Sequence, residues 1–140
     1  MISEGMITIA LAVVALQSSP TWSQRDTQYL TEGQELTARL DTCIEASVAK
    51  FIASNEPADV VASVAMWECQ GRALDVFENG VRYMQAVRPN EDASTIRREQ
   101  AAKHPAFLEA RKEQAIYYVV TQRLGLSWHM PVEDYNSIKR

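Results

Sequence analysis

The two cysteines of this chain, Cys43 and Cys69, are its only ones, and they lie equally far from Glu56 in sequence. Residues 54–57, Ser-Asn-Glu-Pro, carry a turn signal, whereas the segments on both sides have the apolar periodicity of helices. Two antiparallel helices joined at such a turn place residues that are equidistant from it side by side. The spacing therefore predicts that Cys43 lies opposite Cys69, flanked by small residues that permit close approach: Ala46, Ser47, Ala65 and Ala73.

A disulfide requires Cα atoms that are about 5.5–6 Å apart, which small neighbouring side chains allow between packed helices. We therefore predict a Cys43–Cys69 disulfide across a helical hairpin, where closing the loop stabilises the fold by about 3–4 kcal/mol. The alternative is a pair of free cysteines that serve as small core hydrophobes. Redox catalysis is disfavoured because the two residues do not form a Cys-x-x-Cys motif.

The rest of the chain predicts one all-α domain, a disulfide-stapled antiparallel helical hairpin within a three- to four-helix up-and-down bundle. Its expected parts after a 1–15 leader are a hairpin over 23–87, a polar connector over 88–104, a helix over 105–124 and a tail over 125–140. A second helix-start signal, "TEGQ" from Thr31, predicts that the first helical turns are separate, with Gly33 weakening the join. Asn55 can take the left-handed conformation that ends a helix.

The second arm of the hairpin carries two neighbouring apolar stripes. Both have helical spacing, and the second lies beside the first. The first consists of Val60, Val64, Trp67, Gly71, Leu74, Phe77, Val81 and Met84, and the second of Val61, Ala65, Cys69, Ala73 and Val76.

Residues 6–16, "MITIALAVVAL", are apolar apart from Thr8. A helix of this length rises about 16 Å, well short of a bilayer core of roughly 30 Å, so stable membrane insertion is not expected. The length fits the apolar region of a secretory signal peptide cleaved after Ala15, which predicts a periplasmic or secreted protein. Residues 1–5 contain no Lys or Arg, and an ordinary first helix is the alternative.

The net charge of −4 disfavours a general nucleic-acid binder, which needs a basic surface. We find no phosphate loop or nucleophile motif, and we predict no catalytic residue, no cofactor and no metal site. His129 lies near Glu133 and Asp134, but Pro131 interrupts the helical spacing that would direct these side chains at one ion.

Five large side chains of types enriched at interfaces are candidate contacts for a protein partner or for self-association. They are Trp22, Tyr117, Tyr118, Trp128 and Met130. The alternative is that they complete the core of a small bundle.

Residues 43–69, which contain "EPADVVASVAMWEC", resemble small exported two-cysteine α-helical proteins of proteobacteria. The resemblance implies a fold and a compartment, and it transfers no catalytic residue. Residues 30–34, "LTEGQ", have the Leu-Thr-x-x-Gln form that is similar to periplasmic stress chaperones of the Spy and CpxP type. Those proteins carry the motif twice and this chain carries it once, where Thr31 as a helix N-cap is the local explanation.

We therefore expect an exported, non-enzymatic helical binding or structural protein of the cell envelope. The alternatives are a periplasmic holdase-like chaperone or stress adaptor, and a small hydrolase.

Overall fold

The computed structural model describes residues 22–126, with side chains from residue 24 onward. This part of the chain forms four helices and contains no strand: α1 (Trp22–Phe51), α2 (Ala58–Glu68), α3 (Gln70–Val87) and α4 (Ala93–Arg123). The leader predicted over 1–15 and most of the tail predicted over 125–140 lie outside the described residues. The prediction of an all-α fold is confirmed.

Helices α1 and α2–α3 form the predicted antiparallel hairpin, and the disulfide between Cys43 and Cys69 is present with a Cα–Cα distance of 6.0 Å. The pairing of equidistant residues extends to the far end of the hairpin, where Gly33 of α1 meets Asn79 of α3. A Cβ added to Gly33 would lie 2.8 Å from Asn79 Oδ1. Gly33 therefore permits a close approach of the two helices.

Two local predictions for α1 are wrong. The helix runs without a break through the "TEGQ" segment, because the packing of Gly33 against α3 outweighs the low helix propensity of glycine. Asn55 does not adopt the left-handed conformation, since no non-glycine residue among those described has a positive φ. Instead, both the amide and the hydroxyl of Ser54 donate to the carbonyl of Phe51 and close the helix end.

Helices α2 and α3 are separated by the single residue Cys69, whose φ of −96° and ψ of 10° depart from helical values. Its amide still donates to the carbonyl of Ala65, and its own carbonyl accepts from the amide of Ala73. The chain therefore continues in the same direction through the interruption. Helices α2 and α3 together form one arm of the bundle, and α1 and α4 form the other two. The predicted up-and-down arrangement of three to four helices is confirmed.

The core lies between all the helices and is built from small and aliphatic side chains, with Phe107 and Tyr118 as its aromatic members. The arm α2–α3 contributes the stripe that contains Cys69, because the disulfide turns that stripe toward α1. The buried members of the core are Leu40, Ile44, Val48, Val61, Ala62, Ala65, Cys69, Ala73, Val76, Phe107, Ala115, Tyr118 and Val119.

The predicted boundary between a connector over 88–104 and a helix over 105–124 is wrong. Helix α4 runs unbroken over Ala93–Arg123. Asp92 caps its start, since the carboxylate accepts a 3.0 Å hydrogen bond from the amide of Thr95. Pro105 lies inside the helix and costs one backbone hydrogen bond, but its position is exposed to solvent. Ile96 and Phe107 are buried on either side of Pro105 and hold the helix against the bundle.

Two arginines fasten α4 to the hairpin. The buried Arg111 places Nη1 3.3 Å from Oδ1 of Asp41 on α1. Arg123, in the last turn, donates to the carbonyl oxygens of the turn between α1 and α2: Ile52, Ser54 and Glu56. These contacts set α4 parallel to α1 and beside α2–α3.

Candidate functional site

An open groove lies between the α2–α3 arm and α4, with a volume of about 540 Å³. It is lined by residues of the last turn of α2, the first turns of α3 and the middle of α4. Its apolar members are Met66, Trp67, Ala73, Leu74 and Leu108, and its polar members are Gln70, His104, Glu109 and Lys112. We call this set the Trp67 groove.

Trp67 is the most exposed large side chain of the groove, with 70% of its surface accessible, and Leu74 is 54% accessible. Their spacing of seven residues places them on the same side of the arm across the interruption at Cys69. Gly71 lies between them, and a Cβ added there would meet nothing within 4 Å. The floor of the groove at this point is therefore open backbone, flanked by two apolar side chains.

The sequence analysis placed this surface on a helical stripe without identifying it as exposed. Val60, Trp67 and Leu74 of that stripe are exposed, whereas Val81 of the same stripe is buried. Because Cys69 is bonded to Cys43 of α1, the stripe of Cys69 faces the core and Trp67 lies on the exposed side of the arm. Trp67 and Leu74 are thus functional candidates that the sequence analysis did not identify.

His104 of α4 forms one end of the groove and lies between two aromatic rings. Its ring centroid is 5.1 Å from that of Phe77 and 6.0 Å from that of Phe107. Burial lowers the pKa of His104 below its ordinary value of 6.5, because removal from water disfavours the charged imidazolium. The His104 imidazole at this end of the groove therefore favours its neutral form.

A second concavity lies on the other side of Trp67, next to the disulfide, and it is lined by Cys43, Ala46, Ser47, Lys50, Trp67 and Glu68. Here Ser47 Oγ donates a 2.5 Å hydrogen bond to Glu68 Oε2, and Lys50 Nζ lies 3.0 Å from the same oxygen. Two hydrogen bonds lower the pKa of Glu68, and the one from Ser47 has a larger effect than the one from Lys50. Trp67 therefore projects between an apolar groove and a charged rim.

The predicted contact residues do not meet at this groove. Tyr117 is exposed on the outer face of α4, whereas Tyr118 is only 8% accessible and belongs to the core. The prediction of Tyr118 as a surface contact is wrong. Neighbouring residues on a helix point in different directions, so Tyr117 faces solvent and Tyr118 faces the core. The side chain of Trp22 and the residues Trp128 and Met130 lie outside the described part.

Among the described residues, no three His, Cys, Asp or Glu side chains converge in a way that could hold a metal ion. The predicted weak candidates His129, Glu133 and Asp134 lie outside that part of the chain. No helix between residues 22 and 126 combines the length and the apolar character required to cross a membrane.

No protein-family model, curated protein or solved structure matches this chain.

Proposed function

We propose that the chain is an exported, non-enzymatic helical protein of the cell envelope that binds another protein through the Trp67 groove. The observation that carries the proposal is the exposed indole of Trp67 on the rim of an open apolar groove. Tryptophan is enriched among residues that dominate binding energy, and a methionine at such a surface adapts to different partner side chains. The partner chemistry that fits is a segment with large apolar side chains.

The polar groups around the groove support a protein partner over a small apolar molecule. Glu109 and Lys112 lie on one rim and Gln70 lies on the other, so an apolar centre is bordered by groups that can form hydrogen bonds and ion pairs. This arrangement of an apolar centre and a polar rim is the usual anatomy of a protein–protein interface. The export part of the proposal is supported by the leader-like residues 1–15 and by the disulfide, which persists in oxidising compartments.

The test begins with the full-length chain made in the cells that naturally produce it. Intact mass measurement gives the mature N-terminus and the two-hydrogen deficit of the disulfide. An uncut N-terminus or two free thiols in that preparation would contradict export.

The binding test compares the wild-type protein with Trp67→Ala and Leu74→Ala as bait for envelope proteins. Val87→Ala is the matched control, because Val87 is exposed and lies at the opposite end of α3 from the groove. We expect one retained protein whose affinity, measured with the purified partner, falls about tenfold or more in the groove variants, as for an interface hot spot. Equal affinity in Trp67→Ala and Val87→Ala would exclude the groove.

A holdase-like chaperone is the second candidate, since exposed apolar side chains extend beyond the groove to Val60 and Val87. A chaperone of this kind would suppress the aggregation of an unrelated, thermally unfolded client at near-stoichiometric ratios. Loss of suppression in Trp67→Ala would assign chaperone activity to the same groove. Absence of suppression in the wild-type protein would remove this candidate.

A further inference from the structure

The α4 rim of the Trp67 groove carries two opposite charges that have no ionic partner among the described residues. Glu109 and Lys112 lie three positions apart, which places them close together on one side of the helix. Within residues 24–126 neither side chain forms an ion pair, even with the other. A surface that presents an acid beside a base in this way can be complementary to a second copy of itself.

The opposite wall of the groove is symmetric in its apolar side chains. Trp67 and Leu74 project from the arm with accessible fractions of 70% and 54%, and they lie equally far from the peptide bond between Gln70 and Gly71. Gly71 has no side chain, and the space where its Cβ would lie is open. A large side chain from outside can therefore approach the backbone closely between the two apolar projections.

The centres of the two walls lie at the same height in the bundle, to within about one helical turn. Phe77 of α3 contacts His104 of α4, with ring centroids 5.1 Å apart, and α4 runs antiparallel to the arm. The centre of the arm wall lies six to seven residues before Phe77. The same step forward from His104 reaches the midpoint between Glu109 and Lys112. A single axis across the groove therefore passes through both centres.

A half-turn about this axis generates a second copy whose groove faces that of the first. The helices run antiparallel across the interface, so residues equidistant from the axis oppose each other. Trp67 lies opposite Leu74 of the second copy, and Glu109 lies opposite Lys112 of the second copy. Because a closed two-fold interface repeats every contact, both pairings occur twice and all four charges are compensated.

We propose that two copies of this chain associate through the Trp67 groove about this two-fold axis. Trp67 packs on Gly71 and Leu74 of the second copy, and Glu109 pairs with Lys112 of the second copy at the rim. An apolar centre with a charged border is the usual anatomy of a protein interface. The opposite charges at the border set the register of the two copies.

The dimer goes beyond the proposed function, since two copies can associate whether or not another envelope protein binds. Both complexes use the same apolar side chains and therefore exclude each other. The dimer thus covers Trp67 until a tighter partner displaces the second copy. The two proposals fail separately, because self-association is measured with the purified chain alone and partner binding requires a second protein.

Sedimentation equilibrium of the purified, disulfide-bonded protein tests self-association. We expect the molar mass to rise from that of one chain toward that of two between about 1 µM and about 1 mM, a range that covers moderate to weak association. Trp67→Ala should raise the dissociation constant about tenfold or more, whereas Val87→Ala, at the far end of α3, should leave it unchanged. A wild-type protein that stays monomeric to about 1 mM, or a dimer unaffected by Trp67→Ala, would overturn the proposal.

Charge exchange tests the two-fold pairing. In Glu109→Lys, lysine opposes lysine across the axis, and in Lys112→Glu, glutamate opposes glutamate. Each variant alone should therefore have a dissociation constant that is raised about tenfold or more. An equimolar mixture of the two variants restores opposite charges at every position, and it should associate about as tightly as the wild-type protein.

Glu35→Lys is the matched control, because it makes the same charge change at an exposed position of α1. We expect it to dimerise like the wild-type protein. Circular dichroism verifies that each variant keeps its helical content. A mixture of Glu109→Lys and Lys112→Glu that remains monomeric would refute the two-fold arrangement, and so would an equal loss of affinity in Glu35→Lys.

Discussion

Arg111 of α4 and Asp41 of α1 form an ion pair inside the core, with side chains only 3% and 6% accessible and Nη1 3.3 Å from Oδ1. The same Nη1 donates a 2.8 Å hydrogen bond to Oε1 of Gln114, and the guanidinium lies 5.6 Å from the centre of the Phe107 ring. The pair connects the first helix to the last. Because both charges are buried, each depends on the other for compensation.

Removal of one partner of this ion pair should therefore lower the free energy of unfolding much more than removal of both. We expect Arg111→Met to lower the free energy of unfolding by about 3–5 kcal/mol, because Asp41 is left buried and unpaired. The double variant Arg111→Met, Asp41→Leu should lose less unfolding free energy than Arg111→Met alone. Arg82→Met is the control, since its ion pair with Glu32 is exposed and should contribute less than about 1 kcal/mol. Urea unfolding measures all four proteins, and equal losses for Arg111→Met and Arg82→Met would contradict the prediction.

The disulfide should provide a large part of the stability of the hairpin. We expect the double variant Cys43→Ala, Cys69→Ala to lose about 3–4 kcal/mol of unfolding free energy, because the unfolded chain gains the freedom of an open loop. Dithiothreitol should destabilise the wild-type protein by a similar amount and leave the double variant unchanged. A reductant effect of the same size on both proteins would show that the loss does not come from this bond.

The helical glycines Gly33 and Gly71 form a matched pair for a test of close packing. Gly71→Ala should stabilise the protein by about 0.5–1 kcal/mol, since alanine is the better helix former and nothing lies within 4 Å of its Cβ. Gly33→Ala should instead destabilise, because its Cβ would lie 2.8 Å from Oδ1 of the buried Asn79. Thermal unfolding measures the stability of Gly71→Ala and Gly33→Ala relative to the wild-type protein. In an Asn79→Ala background the penalty of Gly33→Ala should disappear, and its persistence there would point to a different cause.

His104 should make the fold less stable in mild acid. Its folded-state pKa is lowered by burial between Phe77 and Phe107, so the unfolded chain binds a proton first as the pH falls through about 6.5. Unfolding free energy should therefore decrease from that pH down to the folded-state pKa. His104→Leu should flatten this part of the pH profile, and His129→Gln, which changes the other histidine, should keep it. An NMR titration that gives His104 a pKa above 6.5 would reverse the predicted sign.

The hairpin could be predicted from sequence because a single constraint fixed it. Once Cys43 was placed opposite Cys69, the register of the two arms followed, and the Gly33–Asn79 approach obeys the same register. The helix break expected before Pro105 is absent, because no single local residue decides the structure there. Proline removes only one hydrogen bond, and the burial of Ile96 and Phe107 on either side outweighs that local cost.

The candidate site was less predictable, because it depends on which of two adjacent stripes faces the core. Both stripes have helical periodicity, and the one that contains Trp67 has the larger side chains. Periodicity and apolar size therefore do not identify which stripe is buried. The orientation of the arm is set by the Cys69 sulfur and by α4, which covers only one side of α2–α3, and that tertiary information is absent from the periodicity.

The hydrogen bonds of Arg123 have a kinetic consequence. They join the final turn of α4 to carbonyls that lie 67 to 71 residues earlier in the chain. The hairpin is local and can form before α4 has docked, whereas this closure must wait for nearly the whole domain. We expect Arg123→Ala to accelerate unfolding in stopped-flow experiments while the refolding rate stays unchanged, because contacts absent from the transition state act on the unfolding limb. A slower refolding rate would instead place the end of α4 in the folding nucleus.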